Sequence, residues 1–166
     1  TSLDGKGRLV IGGCLLSELA QRYGTPLYVL DEDTVRGTCR AYRDALQQHY
    51  PGESLPVYAS KANSSLLMSS IASSEGLGLD AVSAGELLTA LQGGMPGERM
   101  VLHGNNKNDE ELLLAYDNNV TVVVDNQHDL DRLKALIPPD AEPAQLMLRF
   151  TPGIECHTHE LSLIHI

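Results

Sequence analysis

Between residues 57 and 150 the sequence alternates short strand-like runs with segments of helical periodicity, and this alternation restricts the fold more than any other feature. The runs are VYAS (57–60), LDAV (79–82), MVLH (100–103), VTVVV (120–124) and LMLRF (146–150). They start about 20–25 residues apart, room for one helix and two short loops. Residues 65–75 repeat apolar side chains at helical spacing, and Gly76 stands where such a helix would end. Ser83 and Glu86 form an S-x-x-E capping box ahead of GELLTALQ, and Asn108 and Glu111 repeat the arrangement ahead of ELLLAY. Leu130, Leu133 and Ile137 mark another helix, closed by Pro138 and Pro139. VTVVV is an unbroken β-branched run, the pattern of a strand buried on both faces. Five such repeats predict a parallel sheet.

Two α/β architectures satisfy that pattern. One is a complete doubly wound domain of five strands. The other is about five of the eight βα units of a (β/α)8 TIM barrel, a fold that typically needs about 250 residues. Periodicity does not separate them. Neither G-x-G-x-x-G nor a P-loop follows VYAS, which weakens the nucleotide-binding, doubly wound alternative.

The first 30 residues follow another pattern. GRLVIGG (7–13) reads as a short strand between glycine turns. Leu15, Leu16, Leu19, Ala20 and Tyr23 form a helical stripe ended by Gly24, and TPLYVLD (25–31) reads as another strand. A helix over 34–50 follows, with Val35, Cys39, Tyr42 and Leu46 on its apolar face.

Composition narrows the class of function. With 42% apolar residues in 166, the chain can build a real core. Its net charge of −10 argues against nucleic acid or an anionic membrane as the main partner. No apolar run approaches the roughly 20 residues of a membrane span, and Asp4, Lys6 and Arg8 interrupt any leader-like stretch. Cys14, Cys39 and Cys156 are few, odd in number and without CxxC spacing, so buried free thiols in a reducing cytoplasm are expected.

In both architectures functional groups gather at the carboxyl ends of the strands. Lys61, Asp80, His103 and Arg149 each fall at or just past such an end. Singly, each has a bland reading: a solvated lysine, a helix-side carboxylate, a satisfied core imidazole, an ion-pair partner. Together they place an amine nucleophile near a carboxylate, an imidazole and a guanidinium, a set suited to Schiff-base chemistry on an amino acid. Partial desolvation would favour attack by the amine on an aldehyde.

VYASKAN (57–63) resembles the Y-A-x-K-A-N signature of the barrel-type, alanine-racemase-like pyridoxal-phosphate decarboxylases. GLGLDAVSAGEL (76–87), VLHGNNKN (101–108) and GIECHTHE (153–160) look like the diaminopimelate branch of that family. The likeness runs from about Gly7 to Glu160. It implies a partial TIM barrel over 31–160, preceded by a segment (1–30) that belongs with the β-domain of a longer protein. It also implies pyridoxal 5'-phosphate as cofactor, held covalently by Lys61 and lined by Ala59, Asp80, His103 and Arg149. The implied activity is decarboxylation of meso-diaminopimelate to L-lysine, in a cytoplasmic homodimer whose active site lies at the subunit interface. Ornithine, arginine or a carboxylated polyamine is the alternative substrate, and a non-catalytic partner-binding homologue is a further reading. Asn108 stands where the family has serine; both are good N-caps. His157, His159 and Glu160 form a weak metal pattern, and no metal is expected.

The resemblance stops at Glu160. LSLIHI (161–166) can be encoded by CTGTCTCTTATACACATC, which looks like the transposon end used in sequencing-library preparation. The chain is therefore expected to be a truncated reading frame, inactive alone, with a bare sheet edge at LMLRF that favours aggregation.

Overall fold

A computed structural model describes residues 1–150. The motif GIECHTHE, with Cys156, His157, His159 and Glu160, and the tail LSLIHI lie outside the described residues. The chain divides into two compact units, Thr1–Ser54 and Leu55 onward.

The first unit holds a small antiparallel sheet of β1 (Ser2–Leu3), β2 (Leu9–Ile11) and β3 (Cys14–Leu15), in that order. Gly12 and Gly13 both have positive φ, 54° and 77°, and turn the chain tightly between β2 and β3. Helix α1 (Leu16–Tyr23) ends at Gly24, whose φ is 83°. Helix α2 (Glu32–His49) is capped by the Asp31 side chain, which accepts from the Thr34 amide. Two expectations fail here. TPLYVLD forms no strand, because a strand exists only within a ladder and no neighbouring strand pairs with it among the described residues. Cys39 is buried as expected, but Cys14 is exposed, since β3 is a two-residue strand at the edge of its sheet.

The second unit contains the repeats. Strands β4 (Val57–Ala59), β5 (Gly78–Ala81), β6 (Met100–Leu102), β7 (Thr121–Val124) and β8 (Leu146–Leu148) alternate with helices α3 (Leu66–Ser74), α4 (Ala84–Gln92), α5 (Asp109–Asp117) and α6 (Gln127–Leu136). All four strand pairings are parallel, and the spatial order is β4-β5-β6-β7-β8. That order separates the two architectures. A doubly wound sheet reverses direction at a switch point, whereas here each strand adds to the same side of its predecessor. With right-handed crossovers, consecutive order places every helix on one face. Accordingly α3 packs on α4, α4 on α5 and α5 on α6 as a single layer. The sheet is the arc of a singly wound α/β barrel.

Burial follows from that geometry. Leu79, Ala81, Met100, Leu102 and Val122 face the helix layer and are at most 1% exposed. Alternate residues on the opposite face, Asp80, Val101 and Thr121, are only partly buried. The outer strand β8 pairs with β7 alone among the described residues, and Leu146, Met147 and Leu148 are exposed.

Candidate active site

Each helix of the repeat begins on a side-chain cap at the carboxyl-end rim of the sheet. Ser65, Ser83, Asn108 and Asn126 accept from the amides of Met68, Glu86, Glu111 and Asp129. Asn108 and Glu111 complete a reciprocal capping box, as the sequence predicts. Glu86 differs by one residue: its carboxylate accepts from the Val82 amide at 2.6 Å. The second oxygen of Glu111 accepts from the Ala84 amide at 3.3 Å, so one carboxylate serves the starts of both α4 and α5. These caps fix where each strand stops and its functional side chain begins.

Lys61 sits in a single 3-10 turn, Ser60–Ala62, directly after β4, and its side chain is exposed. The residues around it brace that turn. The Tyr58 hydroxyl donates to the Asn63 carbonyl at 3.1 Å, and the Asn63 side-chain oxygen accepts from the Ser65 amide at 3.1 Å. The tyrosine and asparagine of YASKAN thus shape the loop that presents the lysine, a role that sequence reasoning missed. The partial desolvation anticipated for Lys61 is not met among the described residues. Among the described residues of the second unit, the helices α3 to α6 form one layer, on one face of the sheet.

Asp80 lies in β5 opposite Ala59 of β4, with Val101 of β6 on its other side. His103 follows β6, its amide donating to the Ala81 carbonyl at 2.8 Å. Its Nε2 is 3.6 Å from Asp80 Oδ1, close enough for an ion pair and too long for a hydrogen bond. That carboxylate oxygen is buried and accepts no hydrogen bond among the described residues. Burial pushes the Asp80 carboxyl above its ordinary value, against the lowering pull of His103 and then of Lys61, while Glu86 adds a smaller upward push. Lys61, Asp80 and His103 therefore share three adjacent strand ends.

Arg149 is on the same rim but apart from that group, since β7 stands between β6 and β8. Its guanidinium pairs with the Asp125 carboxylate after β7, at 3.2 Å to Oδ1 and 3.3 Å to Oδ2. Sequence reasoning singled out neither Asp125 nor the buried Lys107–Asp129 pair, in which Nζ and Oδ2 lie 2.8 Å apart. Lys107 sat in view within HGNNK, and the missed signal was a lysine inside an otherwise uncharged loop.

This donor set can receive an aldehyde-bearing heterocycle. Lys61 supplies an accessible amine, Asp80 a buried acceptor with an unused lone pair, His103 a second polar edge, and Ala59 a side chain too small to fill the face beside Asp80.

Comparison with known proteins decides the family. Residues 32–164 match the pyridoxal-binding domain of the pyridoxal-dependent decarboxylases. The chain belongs to this family. Among curated members it is 45% identical over 166 residues to diaminopimelate decarboxylase of Synechocystis sp., covering 95% of this chain and 35% of that protein. Identity to the Bacillus subtilis diaminopimelate decarboxylase is 44% over 156 residues, covering 93% and 35%. The chain thus spans about a third of the length of these decarboxylases. The crystal structure of diaminopimelate decarboxylase from M. jannaschii in complex with L-lysine superposes with a TM-score of 0.82 at 29% identity, over 93% of this chain and 36% of that one. The arc of parallel strands accordingly corresponds to part of the fold of that decarboxylase.

Proposed function

We propose that the complete protein is a pyridoxal-phosphate-dependent decarboxylase that converts meso-diaminopimelate to L-lysine and carbon dioxide, and that this chain carries its cofactor-holding lysine. The observation that carries the reading is Lys61: an exposed amine just past a parallel strand, beside Asp80 and His103 on the next two strands. When bound, pyridoxal phosphate supplies the electron sink that lets a carboxylate leave an amino-acid carbon as carbon dioxide. The chain's own residues hold and orient it. Lys61 Nζ would be the atom that holds the cofactor covalently, and its amine would be able to carry a proton at the site. The Asp80 carboxylate and His103 imidazole would help hold and orient the cofactor, and Ala59 leaves room beside Asp80. Arg149, held by Asp125, presents a fixed positive charge at the far side of the rim.

Barrel phosphate sites typically form from the loops after strands 7 and 8, so the cofactor's phosphate is expected outside the described residues. We assign residues 1–30 to the β-domain of the complete protein, which we take to be a cytoplasmic homodimer sharing its active sites across the interface. No helix among the described residues is long and apolar enough to cross a membrane. The names of the curated relatives favour diaminopimelate over ornithine or arginine.

Borohydride reduction of the complete protein with pyridoxal phosphate, followed by peptide mapping, tests the attachment. The adduct belongs on Lys61, and an adduct on another lysine overturns the assignment. For substrate, lysine release from meso-diaminopimelate should far exceed putrescine release from ornithine. Comparable kcat/KM values would leave only a decarboxylase of broader choice.

A further inference from the structure

Lys107 lies in the loop between β6 and α5, and Asp129 in the first turn of α6; both side chains are 1% exposed. Lys107 Nζ donates to Asp129 Oδ2 at 2.8 Å and also to the carbonyl of Gly104. Gly104 directly follows His103, and its φ of 111° is open to glycine and strained for other residues. The same Oδ2 accepts from the Asp125 amide at 3.1 Å, and the Asp125 carboxylate grips Arg149. Asn126 Nδ2 adds a donor to the Asn105 carbonyl at 3.2 Å. One buried pair therefore reaches the residue next to His103 on one side and the partner of Arg149 on the other.

Burying two opposite charges is a poor way to stabilise a fold, since well-packed apolar side chains of similar volume often do as well or better. An apolar pair could not, however, pin a carbonyl and an amide in fixed directions. We propose that Lys107 and Asp129 are positioning residues for the cofactor site. They set the loop carrying His103 and the turn carrying Asp125, and through Asp125 the direction of Arg149. This inference rests on the reading of these strand ends as a pyridoxal-phosphate site.

Two variants of the complete protein separate direction from stability. Asp129→Asn keeps an oxygen able to accept from both Lys107 and the Asp125 amide but leaves the lysine charge uncompensated. Lys107→Met/Asp129→Leu removes both charges and keeps an apolar fill. The readouts are Tm, the Kd for pyridoxal phosphate by absorbance titration of the apoprotein, and the His103 imidazole shifts by NMR without cofactor.

The double variant should melt close to the parent yet bind pyridoxal phosphate about tenfold more weakly or worse, with shifted His103 signals. Asp129→Asn should melt lower yet bind within about threefold of the parent. Cofactor affinity that follows Tm across the series, or unchanged His103 signals in the double variant, overturns the proposal. Should the double variant not fold, Asp129→Asn decides alone: affinity lost in step with Tm counts against positioning, and affinity retained supports it. A parent that binds no pyridoxal phosphate overturns the functional reading, while the His103 signals still report whether the pair sets that loop.

Discussion

At the amino ends of the parallel strands close backbone contacts dominate, with Arg99 donating to the Ser73 carbonyl and hydroxyl, and at the carboxyl ends pairs of opposite charges make the joins. Gly97, in the 3-10 turn Gly97–Arg99 before β6, lies so close to the end of α5 that a Cβ would sit 1.6 Å from the Asn118 carbonyl oxygen. Gly78 opens β5 with its amide on the Pro56 carbonyl, and a Cβ there would fall 2.3 Å from the Arg99 carbonyl oxygen. The opposite rim holds Lys61, the Asp80–His103 contact, the Lys107–Asp129 pair, the Arg149–Asp125 pair and the capping carboxylate of Glu111. Both rims consist of short loops between the same strands and helices. The difference fits the ligand-handling task proposed for the carboxyl-end rim. A rim that only closes the fold can use close backbone contact, which tolerates no added atom. A rim that handles a ligand must keep polar groups poised, at a cost in stability.

The largest effect expected from this contrast is chemical. Lys61→Ala in the complete protein should lose turnover by several orders of magnitude while its Tm stays near that of the parent, because the side chain is exposed and its covalent role is gone. A large fall in Tm would mean that the carboxyl-end rim is structural as well. At the other rim Gly97→Ala should do the reverse, destabilising by about 3 kcal/mol or more by urea titration, with any residual folded protein keeping its affinity for pyridoxal phosphate. Near-normal stability for this variant would erase the distinction between the two ends.

Asp80→Asn gives a smaller effect with a definite sign. Burial raises the carboxyl's value in the folded protein, so the fold prefers its protonated form. The stability Asp80 contributes is present below its unfolded value and is lost as pH rises through the folded one. At neutral pH the charged carboxylate is therefore a burden, and Asp80→Asn should raise the Tm of the apoprotein by a few degrees. That advantage should shrink as pH falls toward about 4. The same variant should bind pyridoxal phosphate more weakly. Thermal melts across pH check the first point, and a lowered Tm at pH 7 would contradict it.

The smallest effect belongs to Ser60, buried next to Lys61 in sequence with a hydroxyl that has no hydrogen-bond partner among the described residues. Ser60→Ala should change stability by no more than about 0.5 kcal/mol, and in the stabilising direction, since no bond is lost and an unpaired polar group leaves the interior. Clear destabilisation in a urea titration would point to a partner for that hydroxyl.

Much of this was legible from local pattern. Two of the four helix starts follow from Ser83 and Asn108 with a Glu three residues on, and the five strands from apolar runs, because both depend on residues a few positions apart. Lys61, Asp80 and His103 were legible as candidates because a parallel sheet sends its loops to a known rim. The strand expected at TPLYVLD was not obtained, since pairing needs a neighbour that local sequence cannot supply. The exposure of Lys61 and Cys14 likewise depended on what layer, if any, lies above them.

By itself the sequence determined the identity and spacing of the repeats from residue 57 onward, the caps at Ser83 and Asn108, and Lys61 as the candidate for the proposed chemistry. Those are short-range properties, set by backbone preference and side-chain reach within one turn or one strand. Only the tertiary structure decided between a doubly wound sheet and a barrel arc, because strand order is a relation between segments about 20 residues apart. It alone brought Lys107 to Asp129, 22 positions away, and Arg149 to Asp125, 24 positions away. A buried charge must find its counter-charge wherever the fold puts one, and no local pattern records that choice.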